Sequence, residues 1–132
     1  FSEYVDKVRT TVPEKTTAEL HDLLAHVPHR VAPQITLIDV RETYEWNEEH
    51  IPGAIYLGRG CLERDIEAVV PELDDLVVLY CAGGVRSLLA AESLRRMGYT
   101  NVYSLKGGMG AWIRSGYEVA ENTTNYCDRV DY

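Results

Sequence analysis

The sequence predicts a single α/β domain with a mostly parallel β-sheet flanked by helices. Two observations lead to this fold class. Segments with strand and helix patterns alternate along the chain, as they do in folds built from β–α–β units. Two strand-like segments, at residues 35–40 and 76–80, are apolar along nearly their whole length. Such runs are typical of parallel strands that are covered on both faces.

The first half of the chain is predicted to form two helices, a central strand, a short helix and a second strand. Apolar residues at helical spacing stop at Pro13, and Thr16 with Glu19 has the spacing of a capping box that opens the second helix. Pro52 and Gly53 form a break before the second strand. These elements cover residues 2–12, 16–27, 35–40, 43–49 and 54–57, with a loop at residues 28–33.

The second half continues the same alternation. A Leu- and Ala-rich segment precedes Gly98, a residue favoured just after the end of a helix. Gly107 and Gly108 indicate a tight turn before the last helix, in which Met109 and Trp112 are interpreted as core residues. The predicted helices cover residues 62–70, 87–97 and 109–114, and the predicted strands cover residues 76–80 and 101–105.

Composition limits the size and the partners of the protein. The chain has 132 residues, a net charge of −8 and 45% hydrophobic residues, which suffices for one core. Scattered Lys and Arg argue against nucleic-acid binding, which needs clustered positive charge. No apolar run approaches the ~20 residues of a membrane span. We therefore expect neither nucleic acid nor membrane as a partner, and we assign the protein to the cytoplasm.

The cysteines do not form a predicted disulfide framework or a metal site. The chain has three cysteines, an odd number, at Cys61, Cys81 and Cys127, and no pair has Cys-x-x-Cys spacing. The histidines do not complete a zinc-ligand pattern with them. No metal and no cofactor is expected.

Cys81 is the strongest candidate for chemistry. It follows a buried strand, and a loop containing Gly83 and Gly84 then leads into a helix. The backbone N–H groups of a small-residue loop, the helix N-terminus and the charge of Arg86 all favour a thiolate over a thiol. The alternative is a buried, unreactive cysteine at a strand end. The convergence of the three effects favours a reactive site.

Four motifs in a fixed order resemble those of single-domain rhodaneses, a family of sulfurtransferases. The resemblance covers residues 16–118. Residues 1–15 are then expected to be an N-terminal helical extension and residues 119–132 a C-terminal tail. The motifs are Leu-Ile-Asp-Val-Arg-Glu at residues 37–42 with Glu45, His-Ile-Pro-Gly-Ala at 50–54, Cys-Ala-Gly-Gly-Val-Arg-Ser at 81–87 and Leu-Lys-Gly-Gly-Met-Gly-Ala-Trp at 105–112.

The resemblance implies a five-stranded, largely parallel sheet, with the fifth strand a short one near Lys15. It also implies that Cys81 takes a sulfur from thiosulfate or another donor, holds it as a persulfide and passes it to a thiol, to cyanide or to a protein acceptor. The residues expected to bind the substrate are Ala82, Gly83, Gly84, Val85, Arg86, Ser87, Arg41 and Asp39.

Several alternatives stay open at this point. Related phosphatases of this fold place five residues between the cysteine and the arginine, whereas four separate Cys81 from Arg86 here, so a phosphatase is disfavoured. Arg86 favours a dianionic donor such as thiosulfate. Two-domain thiosulfate enzymes carry a second basic residue where this chain has Ser87, so a small persulfide or a protein is an alternative donor. A non-catalytic docking module is the alternative of a different class.

The other motif residues also have two interpretations. Asp39 and Arg41 either orient the substrate or form an internal ion pair. Glu45 and His50 are interpreted as structural hydrogen-bonding groups, with a general base at His50 as the weaker hypothesis. Cys61 and Cys127 are interpreted as ordinary cysteines rather than as resolving thiols.

Overall fold

A computed structural model describes residues 1–26 and 35–121 of the chain. Within these residues, five strands form one sheet in the order β1-β5-β4-β2-β3, and every neighbouring pair is parallel. The predicted loop at residues 28–33 and most of the predicted tail lie outside the described residues. The strands are β1 (Glu14–Lys15), β2 (Ile35–Asp39), β3 (Ile55–Tyr56), β4 (Leu76–Tyr80) and β5 (Val102–Leu105).

The described part of the chain also forms six helices, of which four lie between consecutive strands, one precedes β1 and one follows β5. Thr16 and Glu19 form the predicted capping box, because each side chain accepts a hydrogen bond from the backbone N–H of the other. The helices are α1 (Ser2–Arg9), α2 (Thr17–His26), α3 (Thr43–Glu48), α4 (Leu62–Val69), α5 (Val85–Arg96) and α6 (Gly108–Arg114).

The helices cover both faces of the sheet, which confirms the predicted layered α/β fold. One core packs α1, α4 and α5 against Ile38 and Leu79. The other packs α2 and α6 against Leu37 and Val78. Alternate residues of β2 and β4 thus face opposite cores, because side chains alternate across a strand.

Several helix boundaries differ from the predictions by one to three residues. The first helix stops at Arg9 instead of residue 12, although Val12 is still buried in the core. The fifth begins two residues before Ser87, at Val85, so Arg86 belongs to its first turn. The sixth begins at Gly108 instead of Met109. The last two differences matter because they place helix N-termini closer to Cys81.

Both ends of the described chain contact the central domain. Val5 and Val8 of α1 are buried in the core that contains α5. At the other end, His50 and Ala120 form an antiparallel bridge, with hydrogen bonds of 3.0 and 2.8 Å between their backbone groups. Residues on either side of the four motifs therefore contact the domain.

Candidate active site

Cys81 lies immediately after β4, at the carboxyl end of the parallel sheet, where ligands of open α/β folds bind. Its side chain is almost fully buried, with 1% of the residue exposed. The sulfur accepts hydrogen bonds from the backbone N–H of Gly84 at 3.1 Å and of Ser87 at 3.4 Å. The Ser87 hydroxyl lies 3.5 Å away. These donors stabilise negative charge on the sulfur.

A left-handed glycine makes this arrangement possible. Gly84 has φ of +96°, a conformation that residues with a Cβ rarely adopt. A Cβ on Gly84 would also lie 3.0 Å from the backbone nitrogen of Gly107. The turn at Gly84 lets the chain curl around the sulfur and enter α5 directly.

The other predicted loop residues lie around this turn. Ala82 and Gly83 are exposed at the surface, and Val85 is partly buried against the core. Among the backbone amides predicted to face the sulfur, that of Gly84 makes the contact. The amide of Ser87, in the first turn of α5, makes the second.

The N-terminus of α6 fixes the loop from behind. The Met109 N–H donates to the carbonyl oxygen of Cys81 at 2.8 Å, and the Gly110 N–H donates to that of Ala82 at 3.0 Å. A Cβ on Gly108 would collide with the carbonyl oxygen of Cys81. The predicted core position of Met109 is confirmed, whereas the contact of its backbone with Cys81 was not predicted. The Gly107-Gly108 pair before a helix was the available signal.

Two buried serine hydroxyls extend the hydrogen-bonded contacts of the Cys81 sulfur. The hydroxyls of Ser87 and Ser104 lie 2.8 Å apart, and both residues are fully buried. Ser104 belongs to β5, the strand beside β4. Ser104 was not predicted to belong to the site, although a lone polar residue inside an apolar strand was a signal. Ser104 holds the Ser87 hydroxyl in the position from which it reaches the sulfur.

Arg86 is bound to Glu45. Its two terminal nitrogens donate to the two carboxylate oxygens at 2.9 and 3.2 Å. Hydrogen bonding to Arg86 lowers the pKa of Glu45, although partial burial acts in the opposite direction. The hydrogen bond to Glu45 raises the pKa of Arg86, and Cys81 adds to this shift. The charge of Arg86 is therefore balanced by that of Glu45.

Glu45 also holds α3 in place. Its carboxylate accepts a hydrogen bond from the backbone N–H of Glu42 at 3.0 Å, as part of a capping box at the start of α3. This is the structural hydrogen bonding predicted for Glu45, but its pairing with Arg86 was not predicted.

Asp39 and Arg41 form a buried ion pair with an N–O distance of 2.8 Å. Arg41 also donates to the carbonyl oxygen of Glu49 at 2.6 Å. Burial lowers the pKa of Arg41, but the hydrogen bonds and charge of Asp39 outweigh this, so the pKa ends above its usual value. The contacts are those of the internal ion pair, the alternative left open by the sequence. Asp39 is fully buried, and the pair connects β2 to the end of α3.

His50 has contacts typical of a structural residue. Its ring stacks on that of Trp46 at 3.6 Å, and its Nδ1 lies 3.2 Å from the carbonyl oxygen of Trp46. Cys61 is the N-cap residue of α4 and is half-buried against the core. Cys127 lies outside the described residues. In residues 1–26 and 35–121, no group of His, Cys, Asp or Glu has an arrangement that could hold a metal ion.

The family of the chain follows from its sequence and this site. Residues 16–115 match the model of the rhodanese-like domain family, so the chain belongs to that family. The family predicted from the four motifs is thus confirmed, as are the five-stranded sheet and the short strand near Lys15.

Two similar proteins are named as sulfurtransferases. The thiosulfate sulfurtransferase GlpE of Shewanella oneidensis is 35% identical over 81 residues, which are 61% of this chain and 78% of that protein. The thiosulfate sulfurtransferase PspE of Escherichia coli is 39% identical over 70 residues, 53% of this chain and 67% of that protein. Sulfurtransferases are thus among the relatives of this chain.

Other relatives have different names and are much longer. The probable adenylyltransferase/sulfurtransferase MoeZ of Mycobacterium tuberculosis is 33% identical over 61% of this chain, but the match spans only 21% of MoeZ. The tRNA uridine(34) hydroxylase of Erwinia tasmaniensis is 30% identical over 65% of this chain and 26% of that protein. The same type of domain therefore occurs inside proteins with further functions.

Solved structures agree with the fold. A Rhodopseudomonas palustris protein of unknown function, described as a possible tyrosine phosphatase, gives a TM-score of 0.77 at 31% identity, with 88% of this chain and 90% of that chain covered. A thiosulfate sulfurtransferase from Pseudomonas aeruginosa gives a TM-score of 0.72 at 28% identity, with 84% of this chain and 20% of that chain covered.

None of the helices formed by residues 1–26 and 35–121 is long and apolar enough to cross a membrane.

Proposed function

We propose that the protein is a sulfurtransferase that carries a sulfur atom on Cys81 as a persulfide. One observation carries this proposal: the buried Cys81 sulfur receives hydrogen bonds from the backbone N–H groups of Gly84 and Ser87. Such donors stabilise a thiolate, which is the nucleophilic form of cysteine. The sulfurtransferase names of GlpE and PspE support the same reaction.

The first step loads the cysteine. The Cys81 thiolate attacks the outer sulfur of the donor, and a new S–S bond forms at Cys81. The bond between the outer sulfur and the rest of the donor breaks, and its electron pair leaves with sulfite from thiosulfate, or with a thiolate from an organic persulfide. This is covalent catalysis by an activated nucleophile.

The second step removes the outer sulfur from Cys81. An acceptor nucleophile attacks the outer sulfur of the persulfide, and the Cys81 thiolate leaves. Cyanide would give thiocyanate, and a thiol of a small molecule or a protein would give a new persulfide. The two steps balance without an external oxidant or reductant. Cys61 and Cys81 are both free cysteines, which suits the reducing cytoplasm in which we place this reaction.

The backbone of the loop holds the charge that moves during both steps. Negative charge lies on the Cys81 sulfur before loading and on the outer sulfur afterwards. We expect the other loop amides, those of Ala82, Gly83, Val85 and Arg86, to receive the outer sulfur, while Gly84 and Ser87 hold the inner one. Preorganised N–H donors of this kind lower the energy of a developing anion, as in an oxyanion hole.

The resemblance to a possible tyrosine phosphatase raises a different reaction. Four residues separate Cys81 from Arg86, one fewer than in related phosphatases, and both terminal nitrogens of Arg86 bind Glu45. Both features favour a cradle for one sulfur over one for a phosphate group. Hydrolysis of p-nitrophenyl phosphate by the wild type, lost in Cys81→Ser, would favour the phosphatase instead.

A steady-state assay tests the proposal. The wild type is incubated with cyanide and a sulfur donor, either thiosulfate or glutathione persulfide, and thiocyanate is measured. We expect turnover that Cys81→Ser abolishes and that Cys61→Ser, a matched change at the half-buried cysteine, retains. Turnover that survives in Cys81→Ser would contradict the proposal. Absence of turnover with every donor would favour a docking module.

A further inference from the structure

The two arginines predicted to bind the substrate are both paired with carboxylates. Arg41 pairs with Asp39 at 2.8 Å, and Arg86 pairs with Glu45 at 2.9 Å. The charges of these four side chains therefore cancel. Attraction of a small dianion such as thiosulfate needs an excess of positive charge at the site. These two pairs therefore add no net positive charge of their own with which to attract an anion.

Glu45 determines the charge balance in the solvent-exposed part of the site. The Asp39–Arg41 pair is buried, whereas the Arg86 side chain is 40% exposed and that of Glu45 16% exposed. Arg86 belongs to the first turn of α5, one residue before the Ser87 amide that contacts the Cys81 sulfur. An anion approaching Cys81 therefore meets the Arg86 guanidinium together with the carboxylate that binds it.

We infer that Glu45 is a specificity-determining residue that disfavours dianionic sulfur donors. The donor class that fits this site is an organic persulfide or another sulfane-sulfur donor with at most one negative charge at its donating end. This inference rests on the proposed sulfur transfer, and it narrows the substrate of the same site. Loading from such a donor follows the step above, and a thiolate or a sulfinate leaves with the electron pair.

Glu45→Gln tests the charge while keeping the shape. The Gln side chain can still accept the hydrogen bond of the Glu42 N–H, because Glu and Gln both serve in a capping box. The matched control is Glu14→Gln. The Glu14–Arg9 pair has the same side-chain exposures, 16% and 40%, but Glu14 lies on β1, two strands from β4 in the sheet.

The donor experiment compares thiosulfate, a dianion, with methanethiosulfonate, a monoanion that also delivers its outer sulfur. Second-order rate constants for loading Cys81 are measured by rapid quenching and intact-protein mass. Taking the ratio of the two rate constants removes the difference in intrinsic reactivity between the donors. We expect Glu45→Gln to raise the thiosulfate-to-methanethiosulfonate ratio by about two- to fivefold at low salt, with a smaller effect at high salt.

Glu14→Gln is expected to leave the ratio unchanged. An unchanged or lower ratio in Glu45→Gln, or an equal rise in Glu14→Gln, would overturn the inference.

A second readout separates failure of this inference from failure of the proposed function. Alkylation of Cys81 by iodoacetate, an anion, and by iodoacetamide, a neutral analogue, needs no sulfur transfer. We expect Glu45→Gln to raise the iodoacetate-to-iodoacetamide rate ratio by about two- to fivefold. If that ratio rises but no donor loads the wild type, the proposed function fails while the electrostatic role of Glu45 stands. If the ratio does not rise, the role assigned to Glu45 is wrong.

Discussion

At the scale of single residues, the surroundings of the sulfur distinguish Cys81 from Cys61. Cys61 caps the N-terminus of α4 and packs against the core with part of its surface open. The Cys81 sulfur is buried and contacts two backbone N–H groups and the hydroxyl of Ser87. Since reactivity depends on stabilisation of the thiolate, Cys81 is the residue expected to react.

Ser104 is predicted to act on Cys81 through Ser87. Ser104→Ala removes the hydroxyl that lies 2.8 Å from that of Ser87, so the Ser87 hydroxyl can turn away from the sulfur. One neutral hydrogen bond contributes about 0.5–1.5 kcal/mol. We therefore expect Cys81 alkylation by iodoacetamide at neutral pH to slow by about two- to tenfold.

Ser104→Thr serves as the control, because it keeps a hydroxyl and suits a strand. Its alkylation rate should be close to that of the wild type. Equal rates in the wild type and Ser104→Ala, measured where both remain folded, would remove Ser104 from the positioning of Cys81.

At the scale of elements, two helix N-termini meet at the loop after β4. The first turn of α5 supplies the Ser87 N–H to the sulfur, and the first turn of α6 supplies N–H groups to the carbonyl oxygens of Cys81 and Ala82. The unpaired N–H groups of a helix N-terminus are natural donors for such contacts. The first turns of both helices therefore bind the loop: α5 contacts the Cys81 sulfur, and α6 contacts the backbone carbonyl oxygens.

Gly108 is predicted to be essential to this packing. Gly108→Ala adds a Cβ that collides with the carbonyl oxygen of Cys81, at a position with φ of +57°. We expect a loss of about 1–3 kcal/mol in the free energy of unfolding, as is typical of backbone strain, together with slower loading of Cys81. Denaturant unfolding and persulfide formation measure the two effects.

Gly60→Ala is the matched control, because no atom lies within 4 Å of a Cβ built on Gly60. Its stability should change little. If Gly108→Ala were as stable and as active as Gly60→Ala, the contact between α6 and the loop would not support the site.

The Glu45–Arg86 ion pair connects α3 to α5 and makes stability depend on pH. The pKa of Glu45 is lowered in the folded chain, chiefly by hydrogen bonding to Arg86. The unfolded chain therefore binds more protons, and stability rises with pH. The contribution of the pair is fully present above the unfolded pKa of about 4.3 and is lost as the pH falls through the lower folded value.

Glu45→Gln should accordingly be less stable than the wild type near neutral pH, by at most about 1 kcal/mol for a partly exposed pair. The difference should shrink on acidification below about pH 4. Denaturant titrations across this pH range measure it. A difference that stays constant or grows as the pH falls would contradict the assigned ion pair.

At the scale of the whole molecule, the long-range features were the least predictable. The alternation of buried strands and helices predicted the α/β fold and the position of Cys81, because hydrophobic patterning is a local property of sequence. Strand β1 has two residues and too little pattern of its own, so the family resemblance was needed to predict it.

The parts of the site that were not predicted come from contacts between residues far apart in the sequence. Arg86 and Glu45 are 41 positions apart, and Ser87 and Ser104 are 17 apart. No local pattern predicts which side chains such packing joins. The sequence therefore predicted Cys81 and its loop as the candidate site but not the groups that position the loop and balance its charge.

Intact-protein mass spectrometry shows directly whether Cys81 carries a transferred sulfur atom. The wild type, Cys81→Ser and Cys61→Ser are each treated with thiosulfate or glutathione persulfide, desalted, weighed and then treated with cyanide. We predict a gain of about 32 Da, one sulfur atom bound to an activated thiolate, in the wild type and in Cys61→Ser but not in Cys81→Ser, and cyanide should remove it. A protein that gains no mass from either donor, or gains it equally without Cys81, would contradict the assignment of Cys81 as the sulfur carrier.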